Sequence, residues 1–146
     1  MYQVYISAYS RLSKDELMEI LRSRQDVFIV EQNCPYPDID DKDLESTFVF
    51  IKNDGKLCAS MRMFRRDETT VQLGRILTVE RGKGWGRIMM EAALSYLRDN
   101  TGYEHIYIEA QTYAAGFYER FGFRTASGEF LEDGIPHVVM LAELCR

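Results

Sequence analysis

The chain has 146 residues, 46% of them hydrophobic and 28% charged, with a formal net charge of -5. That length predicts a single domain spanning residues 1–146 with enough apolar surface for a packed core. The acidic balance argues against nucleic-acid binding, which needs clustered Lys and Arg, and no apolar run is long enough to cross a bilayer, so no membrane partner is expected. Met1-Tyr2-Gln3-Val4-Tyr5-Ile6 lacks the basic and apolar regions of a signal peptide, which makes the cytoplasm the expected location. Cys34, Cys58 and Cys145 are odd in number and widely spaced, so all three read as reduced thiols with no metal site among them.

Residues 2–9 alternate in the manner of a half-buried strand. Ser13-Lys14-Asp15-Glu16 has the form of a capping box, and Leu17, Leu21 and Phe28 carry an apolar helical stripe toward Gln32, ended by Pro35 and Pro37. The run from Asp38 to Glu45 reads as a solvated, charge-rich connection. Strands follow over Thr47 to Lys52 and Leu57 to Arg65, joined by Asn53-Asp54-Gly55-Lys56, whose Asp-Gly pair accepts positive φ. Thr69 to Thr78 adds a strand. Trp85 to Leu97 is helical, with Ile88, Met89, Ala92, Ala93, Tyr96 and Leu97 facing the core, and Asn100-Thr101-Gly102 stops it. His105 to Ile108 is a buried strand, Ala114 to Phe121 a short helix, and Val138 to Leu144 a last strand. The order β-α-β-β-β-α-β-α-β predicts a mixed α/β (α+β) domain.

Chemistry concentrates at Arg81-Gly82-Lys83-Gly84-Trp85-Gly86-Arg87, where a strand gives way to a helix. Unpaired N–H groups and the helix dipole favour an anion there, the glycines admit close approach, and Arg81, Lys83 and Arg87 add positive charge. A Walker loop requires Ser or Thr after Gly-Lys, but Gly84 follows Lys83. A dinucleotide fingerprint starting at Gly82 requires glycine where Arg87 stands. The segment therefore reads as an anion site that offers amide donors and positive charge to a pyrophosphate, with an ordinary glycine-rich tight turn as the plain alternative.

Arg81, Gly84 and Gly86 satisfy the pattern [Q/R]-x-x-G-x-[G/A], and Ala114-Ala115-Gly116-Phe117-Tyr118-Glu119-Arg120-Phe121-Gly122-Phe123 supplies an aromatic pair before Gly-Phe. In both segments the chain resembles the GNAT superfamily of acetyl-CoA-dependent N-acetyltransferases. Val27-Phe28-Ile29-Val30-Glu31-Gln32-Asn33-Cys34-Pro35-Tyr36 and Glu132-Asp133-Gly134-Ile135-Pro136-His137 narrow the resemblance to ElaA-like members. It implies a mostly antiparallel mixed sheet flanked by helices and split into a V between central strands. Acetyl-CoA would lie along Ile76, Leu77 and Thr78 and over Arg81, Gly82, Lys83, Gly84, Trp85, Gly86 and Arg87. An amine acceptor, a small molecule or a protein, would enter from the opposite side, and a homodimer is compatible with this reading.

Direct attack by an amine on a thioester needs a neutral nucleophile, a polarised carbonyl and a proton for the leaving thiolate. The resemblance implies Leu77 N–H as the donor to the thioester oxygen and Tyr118 as the acid. Glu31, Glu109 and His137 are the candidates for the base. Arg24, Glu31, Gln32 and Tyr36 are the expected acceptor contacts, although an ion pair between Arg24 and a nearby acid is an equal reading. Two other readings stand beside the enzyme: an acyl-CoA-binding sensor without catalysis, and an interaction domain without CoA affinity.

Overall fold

The computed structural model describes residues 1–145. The elements are β1 (Tyr2–Ala8), α1 (Lys14–Arg24), α2 (Lys42–Glu45), β2 (Thr47–Asn53), β3 (Lys56–Arg65), β4 (Thr70–Thr78), α3 (Trp85–Asn100), β5 (His105–Gln111), α4 (Ala115–Glu119), β6 (Arg124–Thr125), β7 (Phe130–Glu132) and β8 (Ile135–Glu143). The capping box forms as the sequence predicts: Glu16 N–H donates to Ser13 Oγ at 3.0 Å and Ser13 N–H donates to Glu16 Oε1 at 2.8 Å. The expected helix running to Gln32 changes character at its end. Gln25–Glu31 is a π-helical turn, in which Gln32 N–H reaches back five residues to the Val27 carbonyl at 3.3 Å. That wider turn sets Val27 and Phe28 against Leu77 of β4.

The eight strands form one sheet in the order β1-β2-β3-β4-β5-β8-β6, with β7 also paired to β8. Both faces of its centre are buried. Val49, Ile51, Met61, Met63, Leu73, Ile106, Ile108 and Met140 meet Met89, Met90, Ala93 and Leu97 of α3, while Phe48 and Phe50 turn to the other face and pack with Ile20 of α1. The two strands that the sequence reading lacked, β6 and β7, have only two and three residues, too short for a period to register. β8 begins at Ile135 instead of Val138 because a second Asp-Gly turn closes a hairpin there, Asp133 at φ 50 and Gly134 at φ 78.

The parallel pair β4–β5 determines the overall shape. Its ladder runs only from Thr70↔His105 to Leu73↔Ile108, after which β4 continues on β3 alone and β5 on β8 alone. The strands part into a V. The cause lies in β4, where Arg62 faces Gly74 but Ser60 faces Leu77, so β4 carries one residue more than β3 across the same span. Arg75, at φ 49, takes up that extra residue as a bulge, which bends the strand away from its parallel neighbour.

A cluster of charges beside this bulge corrects the reading of residues 38–45 as a solvated connection. Asp38 and Asp43 are buried, as is Arg24 in full. Arg24 Nε donates to Asp38 Oδ2 at 2.9 Å, and Nη1 and Nη2 fork onto Asp43 at 2.7 and 3.1 Å. Arg62 Nη1 bonds Asp43 at 3.0 Å and Asp40 at 2.5 Å, and Arg75 Nε lies 3.0 Å from Asp38 Oδ1. Three guanidinium groups thus neutralise three carboxylates. Burial pushes the Asp43 carboxyl up, yet the Arg24 and Arg62 bonds and the Asp40 N–H outweigh it and hold the group below its ordinary range. Removing one partner strands buried charge, so Asp43→Ala is expected to cost about 3–5 kcal/mol in urea denaturation, whereas an exposed control such as Glu68→Ala should change little.

Candidate active site

The V opens into a cavity of about 1040 Å³ that continues past the Arg81 turn. At the turn, Gly82 and Gly84 stand at φ 77 and 80, in the left-handed region, and Gly84 is the N-cap of α3. Gly86 is required for a different reason. A Cβ there would meet the Phe117 ring at 3.3 Å and Thr78 Cγ2 at 3.7 Å, so its absence lets α3 and α4 approach. The result is a concave backbone with free helix N–H groups facing the opening, suited to an anion. Arg81, Gly82, Gly84, Trp85, Gly86 and Arg87 line the cavity together with Ile76, Leu77 and Thr78. Lys83 is exposed and stands off the wall, whereas Arg120, which the sequence reading did not single out, is on it.

Strand alternation settles which amide of β4 faces the opening. Val79 N–H donates to the Cys58 carbonyl at 2.8 Å, and Ala59 and Ser60 stand opposite Thr78 and Leu77. Leu77 N–H is therefore committed to Ser60 in the ladder, and Thr78 N–H points away from β3 into the gap. The Leu77 N–H expected as a donor is thus occupied within the sheet, and the neighbouring amide is the one that faces the opening.

Tyr118 is buried where α4 reaches the cavity, edge-on to Phe117 at 5.2 Å and to Phe123 at 6.0 Å. Burial pushes its phenol above the ordinary range, with Tyr113 a smaller contributor, and the hydroxyl has no hydrogen-bond partner among the described residues. It is a neutral O–H left free to donate.

On the other arm of the V, period two in the strands sets a polar face against the apolar core. Tyr107, Glu109 and Gln111 of β5 project with His137 of β8, whose register partner is Gln111, and with Phe130 and Glu132 of β7. Gln32, from the π turn, meets Gln111 across the opening at 3.4 Å. Tyr107 O–H donates to Glu109 Oε2 at 2.8 Å. His137 is buried and stacked on Phe130; its Nδ1 lies 2.7 Å from the Ile135 carbonyl and its Nε2 3.4 Å from Glu132 Oε2. Burial pushes the Glu132 carboxyl up to about 7, reinforced by a hydrogen bond and charge from Glu109 and by Asp133, with Arg75 opposing. Glu132 was present in the sequence reading only inside a signature segment. The Asp133-Gly134 turn was the local signal that folds it back toward Glu109.

Two expected acceptor contacts fall outside the cavity wall. Arg24 is spent on Asp38 and Asp43, so it positions the loop instead of touching a ligand. Glu31 is exposed and bonds Arg81, with Arg81 Nη2 to Oε2 at 3.2 Å. That hydrogen bond and the guanidinium charge hold the Glu31 carboxyl below its ordinary range, which makes it a weak proton acceptor. Gln32 and Tyr36 do line the cavity. Cys34 lines it too, its thiol donating to the Asp133 carbonyl at 3.1 Å.

An anion cradle at a helix N-terminus, a sheet split beside it and a buried tyrosine at the junction are the features of the GNAT fold. The chain belongs to that family: residues 13–144 match the Acetyltransferase (GNAT) domain. It is similar to protein ElaA of Escherichia coli, 37% identical over 145 residues and 94% of each chain. A UPF0039 protein of Schizosaccharomyces pombe is 36% identical over 140 residues and 93% of each. The crystal structure of E. coli ElaA superposes with a TM-score of 0.91 at 32% identity, covering 98% of this chain and 100% of that one. An acyl-CoA N-acyltransferase from Pseudomonas aeruginosa gives 0.86 at 32% identity, covering 96% and 99%.

The raised Glu132 carboxyl has a consequence for stability. From its ordinary value of 4.5 up to about 7 the folded chain holds this proton more tightly than the unfolded chain, so the contribution is complete below 4.5 and is lost as pH rises through about 7. Glu132→Gln is expected to raise the thermal midpoint relative to the parent by more at about pH 8 than at about pH 5. Equal shifts at both would remove the perturbed carboxyl.

Proposed function

We propose that the protein transfers the acetyl group of acetyl-CoA to an amine by direct attack on the thioester. The observation that carries this reading is the continuity of one cavity from the Gly82–Gly86 turn to the polar face of β5 and β8, with Tyr118 on its wall. In this reading the turn and α3's first N–H groups hold the pyrophosphate, assisted by Arg81, Arg87 and Arg120. The gap between β4 and β5 takes the pantetheine arm, which can add its own amides to the unpaired strand edges. Thr78 N–H lies where it can donate to the thioester oxygen as negative charge develops there. Tyr118 gives the departing sulfur its proton, a role suited to a phenol that burial keeps neutral. The acceptor enters past Gln32 and Tyr36.

Binding is tested first. Acetyl-CoA at a hundred times its Kd should stabilise the fold by about 2.7 kcal/mol, seen as a rise in thermal midpoint that ATP does not reproduce. Acetyl transfer to a panel of primary amines, followed by thiol release, tests the chemistry. Stabilisation without turnover across the panel would favour a sensor, and no stabilisation would favour an interaction domain. Within an active pair, Tyr118→Phe is expected to lower kcat by roughly a hundredfold while leaving acetyl-CoA binding nearly intact. Gly86→Ala should do the reverse first, because its methyl group collides with Phe117 behind the cradle.

A further inference from the structure

Glu109 and Glu132 come from different elements, β5 and the end of β7, yet both stand on the cavity wall, and Glu109 helps to raise the Glu132 carboxyl. Two neighbouring carboxylates disfavour the state in which both are ionised. The imidazole beside them is fixed by the backbone. A carbonyl oxygen only accepts, so the 2.7 Å contact with Ile135 places a proton on His137 Nδ1. The other nitrogen, Nε2, faces Glu132 Oε2 at 3.4 Å. Glu132 thus sits between Glu109 and His137, with Tyr107 O–H fixing Glu109 from the far side.

The charges facing this group come from every neighbouring element: Glu109 and Tyr107 on β5, His137 on β8, Asp133 in the turn and Arg75 on the β4 bulge. Arg66 lies over the Tyr107 ring at 3.7 Å. Arg75, the cation among them that opposes the proton, is held by Asp38 and Asp40 at 3.0 and 3.5 Å. Glu31, another candidate for this role, is bound to Arg81 outside the wall.

Resting on the acetyltransferase reading, we infer that Glu132, paired with Glu109 and backed by His137, is the catalytic proton acceptor, and that the acceptor binds there as a cationic ammonium. With the pair ionised, the ammonium R-NH3+ gives one proton to Glu132 and becomes R-NH2. The nitrogen lone pair forms a C–N bond to the thioester carbon, and the C–S bond breaks after the tetrahedral stage. Sulfur takes its proton from Tyr118 and leaves as thiol. The nitrogen's surplus proton restores the Tyr118 phenol, and the proton on Glu132 passes to solvent. One R-NH3+ and one acetyl-CoA yield one amide, one CoA thiol and one H+. A carboxyl pushed up to about 7 matches this duty, being about half ionised and yet basic near neutral pH.

The test compares two nucleophiles of opposite need. Ethylamine, an alkylammonium with a pKa of roughly 10, must be deprotonated, whereas hydroxylamine is already uncharged at neutral pH. With full-length protein and after subtraction of the uncatalysed reaction, Glu132→Gln is expected to lower kcat/KM for ethylamine by roughly a hundredfold or more and to spare hydroxylamine. Glu109→Gln should move the rising limb of the ethylamine pH profile to lower pH, a displacement that a packing role would not produce. Equal losses with both nucleophiles, no loss with either, or an unmoved limb would overturn the assignment. If wild type acetylates neither these probes nor any amine of the panel while acetyl-CoA still stabilises the fold, the transferase reading fails and takes this one with it. Turnover with an unaffected Glu132→Gln variant defeats the proton acceptor alone.

Discussion

Around Arg24 and Asp43 four ion pairs tie the loop before β2 to α1, β3 and β4, and the cavity depends on them indirectly. Arg24 fixes Asp38 and Asp43, Asp43 also accepts Arg62 from β3, and Asp38 holds Arg75 at the bulge of β4. Buried ion pairs of this kind add little net stability, because the desolvation of each charge offsets most of the attraction. What they supply is location. A non-glycine residue at φ 49 carries strain of about 1 kcal/mol or more, and Arg75 keeps that conformation while its side chain is tied to Asp38 and lies over the Tyr36 ring at 5.5 Å. The bulge then parts β4 from β5, and the V follows from the register.

The parting creates a chemical opportunity as well as a space. A strand that loses its neighbour leaves N–H and C=O groups without partners, a costly state in an interior unless a ligand supplies them. Thr78 faces the gap for this reason, and Leu77 does not. On the cofactor side the π turn brings Val27 and Phe28 over Leu77, which walls the cleft with apolar surface. On the other side the same turn carries Gln32 to Gln111 and keeps the two arms in register across the opening. One local change in helical winding thus serves both halves of the site.

Much of this was legible in the sequence, and the failures have physical causes. Long periodic elements read correctly, as did the Ser13 capping box and the Asp54-Gly55 hairpin, because their signals are local. The glycine turn was legible too, since positive φ at Gly82 and Gly84 is a property of the residue. The acidic run 38–45 misled because burial is a tertiary fact: Asp43 looks like a solvated residue until Arg24, nineteen positions away, is brought to it. The bulge was invisible for a related reason. Arg75 is an improbable residue for the left-handed region, and nothing in its neighbours announces it. Leu77 was chosen over Thr78 because the side a strand amide faces is set by the partner's register, which the sequence of one strand does not contain.

The same distinction separates the two groups of carboxylates beside the cleft. Asp43 and Glu132 both suffer burial, which by itself raises each. Asp43 is met by two guanidinium groups and ends below its ordinary range; Glu132 is met by another carboxylate and ends near neutrality. Arg75 opposes that rise as the smallest of the named influences, and its guanidinium is held by Asp38 and Asp40. The Arg–Asp cluster therefore meets the site twice: it shapes β4 through the Arg75 backbone, and it fixes the position of the Arg75 side chain beside the cavity.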